Sequence, residues 1–410
     1  MGLRARWDSS ARDGQHCHHQ KAFVVDDAAF VGGMPLHHCV YENWHDTFLE
    51  VQGPSMCDVA HNFVQRWSQP AADEKASDWT SSQDKEETQS LVPGGTEQDL
   101  GLDSATHQGD VQVQVLRSIK PGLYHADPDA GLDIFTLGEA SILWQYEAAF
   151  EAAQHSILIE SQHCGEASLL HSLQRALDRG VVVVYIVPAQ PMLAIRAEKR
   201  RADEYARRRA RYLEVLAAGT LAPNEQQPEA PHYASVFEQL TVLSKYENFT
   251  MAALYEINPD RPAALPSSQP PGRAIYVHSK LCVVDASWGM LGSANLVDLS
   301  LLRNHTELNV AFWDAESAMH LLNILTALHL GFQTSNLSGN CRECKIQSHT
   351  RPEDIPVNMT DVSGCSQIRA LAEAARMNTY RLENQKLGHP AAAEFRGRIF
   401  CVDAAVYGVK

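Results

Sequence analysis

Residues 275–296 read IYVHSKLCVVDASWGMLGSANL. An apolar strand carries His278, and Lys280 follows two residues later, on the same face of an extended chain. Asp285 lies five residues further on, and a second apolar run ends in the small-residue turn Gly292-Ser293-Ala294-Asn295. The pattern is HxKxxxxD followed by GSxN. An imidazole, a fixed cation and an amide donor brought to one spot suit a phosphodiester oxyanion. A second HxKxxxxD stands near the start of the chain, formed by His19, Lys21 and Asp26.

The two motifs belong to a longer duplication. KAFVVDDAAFVGG (21–33) matches KLCVVDASWGMLGS (280–293) with one residue deleted. A carboxylate follows each copy, Asp46 in the first and Glu307 in the second, and each opens a strand that leads to a helix (59–67 and 315–330). Two such units can pack about a pseudo-dyad with His19 facing His278. The copies are unequal. Residues 111–277 precede the second motif, whereas only 18 residues precede His19. Aligning the turns puts Pro35 opposite Asn295, and proline supplies neither a side-chain amide nor an N–H.

The paired motifs resemble the phospholipase D superfamily, whose members build one active site from two of them. IYVHSKLCVVD, GSANL and TELNVAFWD (306–314) are similar to the second half of eukaryotic-type phospholipases D. HHQKAFVVD, Gly32-Gly33, WHDTFLEVQGP and FVQRW (63–67) are similar to the end of the first half, and GEASILWQYEAAFEAAQHSILIESQ (138–162) to the segment between. The resemblance covers most of residues 16–335. It implies an α/β fold of two pseudo-symmetric lobes, each a mixed β-sheet flanked by helices, with the first lobe incomplete and the chain N-terminally truncated. There are departures. Pro35 stands where the first half generally has a polar residue, Leu299 replaces the arginine expected after GSANxxD, and His163-Cys164 replaces an aromatic pair.

The rest of the chain can be set around these motifs. Residues 1–70 read as a partial first lobe, 71–110 as an acidic flexible linker too poor in apolar residues to repay its ordering entropy. Residues 111–335 form the second lobe and 336–410 a C-terminal extension. Apolar periodicity predicts strands at 22–25, 28–31, 47–51, 111–119, 156–160, 181–187, 240–243, 250–254 and 308–312. It predicts helices at 59–67, 138–153, 167–178, 194–216, 315–330 and 368–376. Strand 156–160, helix 167–178 and strand 181–187 make a βαβ unit. The helix at 194–216 is the most basic part of an acidic chain, suited to anionic lipid headgroups or to solvated pairs with its own Glu198, Asp203 and Glu204. The net charge of −16 argues against a nucleic-acid partner. Cys341 and Cys344 form one CxxC without a second pair, weak grounds for zinc. No apolar run approaches a membrane span and no signal region opens the chain, so a cytoplasmic, peripheral-membrane location is expected.

The resemblance assigns the chemistry. It implies a phosphohistidine intermediate, with attack by His19 and acid–base work by His278, or the two exchanged. Lys21 and Lys280 hold the phosphoryl oxygens, and Asn295 adds a neutral donor. Asp46 and Glu307 bond the far ring nitrogens of the histidines, while Asp26 and Asp285 serve mainly structure. No metal or other cofactor is required. The expected activity is hydrolysis of phosphatidylcholine or a related phospholipid at a membrane surface, with water or a small alcohol as acceptor. A phosphatidyltransferase, a nuclease and a phospholipid-binding remnant are the alternatives.

Overall fold

The computed structural model describes residues 17–35, 44–68, 110–123, 137–222, 225–257, 272–331, 361–384 and 398–402. The expected linker, apart from Asp110, and the Cys341/Cys344 pair lie outside them. Two hairpins carry the duplication. In the first, β2 (Ala22–Val25) pairs antiparallel with β3 (Ala28–Gly32). In the second, β14 (Leu281–Val284) pairs antiparallel with β15 (Trp288–Gly292). Each hairpin starts one residue after its motif lysine. The connections are Asp26-Asp27 and Asp285-Ala286-Ser287, so the residue missing from the first copy falls in the turn. Asp26 (φ 52°) and Asp285 (φ 51°) hold left-handed backbone there, which short polar side chains tolerate. The Asp285 carboxylate also accepts from the backbone N–H groups of Gln154, His155 and Ser156, each at 2.8 Å.

The third strands keep the same register. β3 pairs with β5 (Phe48–Gln52) and β15 with β17 (His305–Trp313), Gly32 facing Phe48 and Gly292 facing Asn309. Asp46 and Glu307 therefore occupy equivalent positions, each two residues ahead of the residue opposite the turn glycine. The short strand before each histidine then crosses to the other copy. β1 (Cys17–His18) lies parallel to β17, and β13 (Tyr276–Val277) lies parallel to β4 (Trp44–His45). His19 N–H donates to Thr306 O at 3.0 Å, and His278 N–H to His45 O at 2.8 Å. His278 and Lys280 thus sit in a short break between β13 and β14, not inside one continuous strand.

The surroundings of the two copies differ. The second belongs to an eleven-stranded mixed sheet. Besides the strands already named, it contains β6 (Gln112–Ile119), β7 (Glu139–Ala140), β8 (Ser156–Glu160), β10 (Val182–Ile186), β11 (Phe249–Ile257), β12 (Gly272–Ala274) and β18 (Ile399–Cys401). β8 and β10 are parallel and buried at every position, as their continuous apolar runs require. Helices α2 (Ser141–Ala152), α3 (Ala167–Asp178) and α5 (Ala234–Leu243) bury one face of this sheet, and α6 (Ala315–His329) and α7 (Cys365–Asn384) cover the other. The 25-residue α4 (Leu193–Ala217) packs through residues such as Ala202 and Tyr205. α5 corrects the strand expected at 240–243. The window LTVL is β-like alone, but Ala234, Phe237, Leu240 and Leu243 are buried at helical spacing. α7 and β18 pack on or pair with the second lobe's sheet, although they belong to the stretch expected as an extension.

Among the described residues, the first copy has the three-stranded sheet β2–β3–β5, backed by α1 (Ser55–Ser68). Its core is shared with the second copy: Ala29, Val31, Val51, Met56 and Val59 pack with Leu308 and Val310 of β17. Whereas β14 is buried between β15 and β8, β2 is an edge among the described residues, with Phe23, Val24 and Val25 at 37%, 38% and 57% exposure.

A second junction holds the copies together below the histidines. Glu160, at the end of β8 and fully buried, accepts from His45 Nε2 at 2.7 Å, His329 Nε2 at 2.5 Å and Ser279 Oγ at 2.6 Å. An ionised carboxylate only accepts, so both imidazoles donate from Nε2. Burial opposes ionisation of Glu160, but the two histidines outweigh it and hold its pKa well below the usual carboxylate range. Burial likewise opposes the charge on His45, and the Glu160 carboxylate raises its pKa in spite of it. His45 is then the charged partner, and burial keeps His329 below its ordinary value. The stability from this pair is full between the ordinary carboxylate and imidazole ranges. It fades as acid protonates Glu160 and as rising pH strips His45. Glu160→Ala leaves buried donors and an uncompensated charge, so it is expected to cost about 3–5 kcal/mol in urea unfolding, with Glu160→Gln milder. An unchanged midpoint for Glu160→Ala would show that the junction carries no load.

Candidate active site

Each catalytic-type imidazole is held by the carboxylate of the opposite copy. His278 Nδ1 donates to Asp46 Oδ2 at 2.7 Å, and His19 Nδ1 lies 2.9 and 3.0 Å from the two Glu307 oxygens. The crossing of β1 and β13 produces this exchange. Both carboxylates are buried, at 1% and 0% side-chain exposure, and each has a further donor. Thr47 N–H reaches Asp46 Oδ1 at 2.9 Å, and Ser293 Oγ reaches Glu307 Oε2 at 2.6 Å. Ser293 corresponds to Gly33, where a Cβ would stand 2.3 Å from Asp46 Oδ1. The shorter aspartate draws the backbone in, and only glycine fits. Bonding at Nδ1 fixes the tautomers and leaves both Nε2 atoms free for the reaction.

The lysines are placed with the same symmetry. Lys21 Nζ donates to His19 O at 2.7 Å and Lys280 Nζ to His278 O. Lys280 feels the charges of Asp46, Lys21 and Glu307, and Lys21 those of Glu307 and Asp46. Asn295 is buried, and its Oδ1 has no hydrogen-bond partner. Rotating the amide turns an N–H2 donor to the same unfilled position. Pro35, at the matching place in the first copy, offers neither a side-chain amide nor an N–H. Asp26 and Asp285 stand apart at the hairpin turns, as their structural role requires.

Burial sets the protonation of this cluster. It lowers the His278 pKa to about 4, the Asp46 hydrogen bond opposing it only in part while Lys280 adds to the fall. It lowers Lys280 to about 7, with Asp46 and Glu307 resisting and Lys21 assisting. Glu307 is pushed up by burial but held at about 2 by its hydrogen bond from His19 and by the neighbouring imidazole of His305.

Several groups at the site carry no motif. Trp44 packs against His278 with ring centroids 4.6 Å apart and against Tyr276 at 5.0 Å, while Gln162 donates to the Tyr276 hydroxyl. His305 lies beside Glu307 at 3.7 Å and is raised to about 9 despite burial, through Cys17 and Glu307. His163 is a third central imidazole. Burial, then the charges of Lys280, His278 and His19, lower it to about 3. The position was visible in the sequence only as a departure from the aromatic pair. Trp44 and His45 flank Asp46, and that adjacency was the one available signal for them. Among the described residues, two groups have donor atoms close enough to hold a cation: His19, His305 and Glu307, and His45, Glu160 and His329, each set within 4.8 Å. Hydrogen bonds already join His19 to Glu307 in the first set and both histidines to Glu160 in the second. The first set could be metallated only by occupying the imidazole of His19.

A family model described as "Phospholipase D" matches residues 10–207, and one described as "Cardiolipin synthase, PLD-like domain" matches residues 146–328. Phospholipase D beta 1 of Arabidopsis thaliana is 26% identical over 389 residues, covering 73% of this chain and 35% of its own length. Phospholipase D gamma 3 of the same plant is 24% identical, covering 70% and 42%. The chain thus spans about two fifths or less of these relatives. Among solved structures, phosphatidylserine synthase of Haemophilus influenzae Rd KW20 aligns over 74% of this chain and 59% of its own, at 15% identity and a TM-score of 0.38. Nuc of Salmonella typhimurium aligns over 52% and 91%, at 12% identity and a TM-score of 0.28. With matching models that together run from residue 10 to residue 328 around the duplicated hairpins, the chain belongs to the phospholipase D superfamily.

Proposed function

We propose that the chain cleaves phospholipid phosphodiesters through a covalent phosphohistidine. Phosphatidylcholine or a related lipid gives phosphatidic acid and the headgroup alcohol when water is the acceptor. A small alcohol gives a transphosphatidylated lipid. One observation carries this reading: two imidazoles, one from each copy, are each bonded at Nδ1 to a buried carboxylate of the other copy, and the motif lysine beside each donates to that histidine's carbonyl. Imidazoles supply nucleophile and proton donor, and the cations meet the charge that develops on the equatorial oxygens. The similarity to plant phospholipases D supports a lipid substrate.

The electrostatics favour the exchanged roles. A nucleophile must be neutral, and at pH 7 burial keeps His278 so. His278 Nε2 attacks phosphorus, the bond to the headgroup oxygen breaks, and His19 gives that oxygen a proton. Ionised Glu307 stabilises the imidazolium that supplies it. His19 then takes a proton from water or alcohol, whose oxygen displaces His278 from phosphorus. A second reading, a phospholipid-binding protein with little turnover, is favoured by Pro35 and by the uncovered edge of the first lobe.

Three outcomes are expected. With phosphatidylcholine and butanol, the chain forms phosphatidylbutanol, and His278→Ala lowers the rate by at least about 10³-fold, as loss of a covalent nucleophile does. Quenching with denaturant at alkaline pH, where the phosphorus–nitrogen bond survives, leaves the label from the lipid phosphate on His278; equal traces of product in both proteins leave only the binding reading. The pH profile of kcat/KM falls below about 4, as His278 gains a proton, and above about 7, as Lys280 loses one. A profile flat from pH 6 to 9 removes the role given to Lys280. Lastly, α4 exposes Arg207, Arg208, Arg209 and Arg211, with Leu213 and Leu216 at 45% and 49% exposure. Replacing the four arginines by glutamine is expected to weaken binding to phosphatidylserine vesicles by about 1 kcal/mol per residue. Unchanged cosedimentation assigns α4 to solvent.

A further inference from the structure

Ser161, Gln162 and His163 link β8 to the next strand, and each of them is fixed. Ser161 N–H donates to Ile186 O at 3.1 Å. Gln162 donates to the Tyr276 hydroxyl, and the Tyr276 ring stacks on His278 with centroids 6.2 Å apart. His163 O accepts from the Tyr185 hydroxyl at 2.8 Å. The link then enters β9 (Cys164–Gly165), which lies parallel to β16 (Leu296–Val297), with Leu296 beside Cys164. His163 and Asn295 thus immediately precede the first paired positions of the two strands. One hydroxyl oxygen ties them together: Ser161 Oγ accepts from the N–H groups of His163 and Leu296, each at 3.4 Å.

The backbone of His163 is held, but its ring is uncommitted. The residue is half-buried, and no hydrogen bond or ion pair joins its imidazole to another described residue. Asn295, one strand across, is 7% exposed, and its Oδ1 also lacks a partner. Two polar side chains on adjoining strands are therefore left open at the same level. Burial lowers the His163 pKa first, and the charges of Lys280, His278 and His19 lower it further, to about 3. The ring is neutral at pH 7 and feels groups of both motifs. A neutral imidazole keeps one N–H to donate. It adds no third cation to the repulsion between Lys21 and Lys280.

A phosphoryl group in transfer carries its negative charge on its equatorial oxygens. On the first copy's side Pro35 supplies neither an amide nor an N–H. We infer that His163 is a further donor to the phosphoryl group, its ring N–H bonding an equatorial oxygen beside the Asn295 amide. The inference rests on the phosphodiesterase reading and adds a residue that neither motif contains. Both neutral donors then come from the second copy's side, and the two lysines hold the group from both. A donor on a fixed backbone in a buried site costs no reorganisation when the reaction occurs, so its contribution is largest in the transition state.

Orthovanadate takes the five-coordinate shape of phosphoryl transfer and needs no turnover. It is titrated calorimetrically into the whole chain, into His163→Phe, which keeps a ring without an N–H, and into His163→Gln, which restores a donor. His163→Phe is expected to bind vanadate at least about tenfold more weakly, and His163→Gln to regain most of the loss. With phosphatidylcholine, His163→Phe is expected to lower kcat about 10²-fold, as loss of one oxyanion donor does, with KM little changed. Melting curves establish that each variant is folded. Equal vanadate affinity in wild type and His163→Phe, a loss that His163→Gln does not relieve, or no vanadate binding by the wild-type chain overturns the inference. If vanadate affinity follows the residue at 163 but neither phosphatidylcholine nor bis(4-nitrophenyl) phosphate is cleaved, the donor stands and the phosphodiesterase reading fails. If diesters are cleaved and His163→Phe matches the wild type in vanadate affinity and kcat, the donor fails and the phosphodiesterase reading stands.

Discussion

The exchange of strands between the two copies is the constraint on which the rest depends. A histidine-bearing strand from each copy adds to the carboxylate strand of the other, so neither copy owns a complete imidazole–carboxylate pair. A buried carboxylate without its partner is expensive. Asp46 and Glu307 therefore hold the copies together as well as orienting the histidines. The Glu160 junction repeats the arrangement a short distance away, tying β4 to β8 and α6 through two more imidazoles. Folding the interface and assembling the site are one event.

Much of this was legible in the chain because the duplication carries geometry. Matching 21–33 with 280–293 placed both hairpins and located a deletion that the structure puts in the turn. It also assigned Asp46 and Glu307 to equivalent positions, which the strand registers reproduce. The all-apolar run of β10 reads as a buried strand for the same reason that it is buried. What resisted reading was long-range. No spacing tells that Asp46 reaches His278, 232 residues away, or that Glu160 gathers His45 and His329. These pairings follow from which strand lies beside which, and a strand of two residues, such as β1 or β13, has no periodicity to announce it. α5 failed differently, because four β-branched and apolar residues do not distinguish a strand from one turn of a helix.

Burial and charge oppose each other at the candidate site. An acidic chain buries two motif lysines there and lowers their pKa values by that burial, Lys280 most of all. An arriving anion favours the protonated lysine, so anion binding and proton uptake are linked.

Among the described residues nothing covers the outer edge of β2, and this has a consequence for the behaviour of the chain in bulk. A ladder edge offers unpaired N–H and C=O groups at regular spacing, and Phe23, Val24 and Val25 add apolar surface to it. In the second copy the equivalent edge is filled by β8, an antiparallel strand reading SILIE. Any extended segment of that character, from whatever molecule, finds a template in β2. The net charge of −16 works against such encounters by long-range repulsion, and that repulsion weakens as salt shortens its range. Colloidal stability is then a contest between one short strand and the charge of the whole surface, and ionic strength decides it.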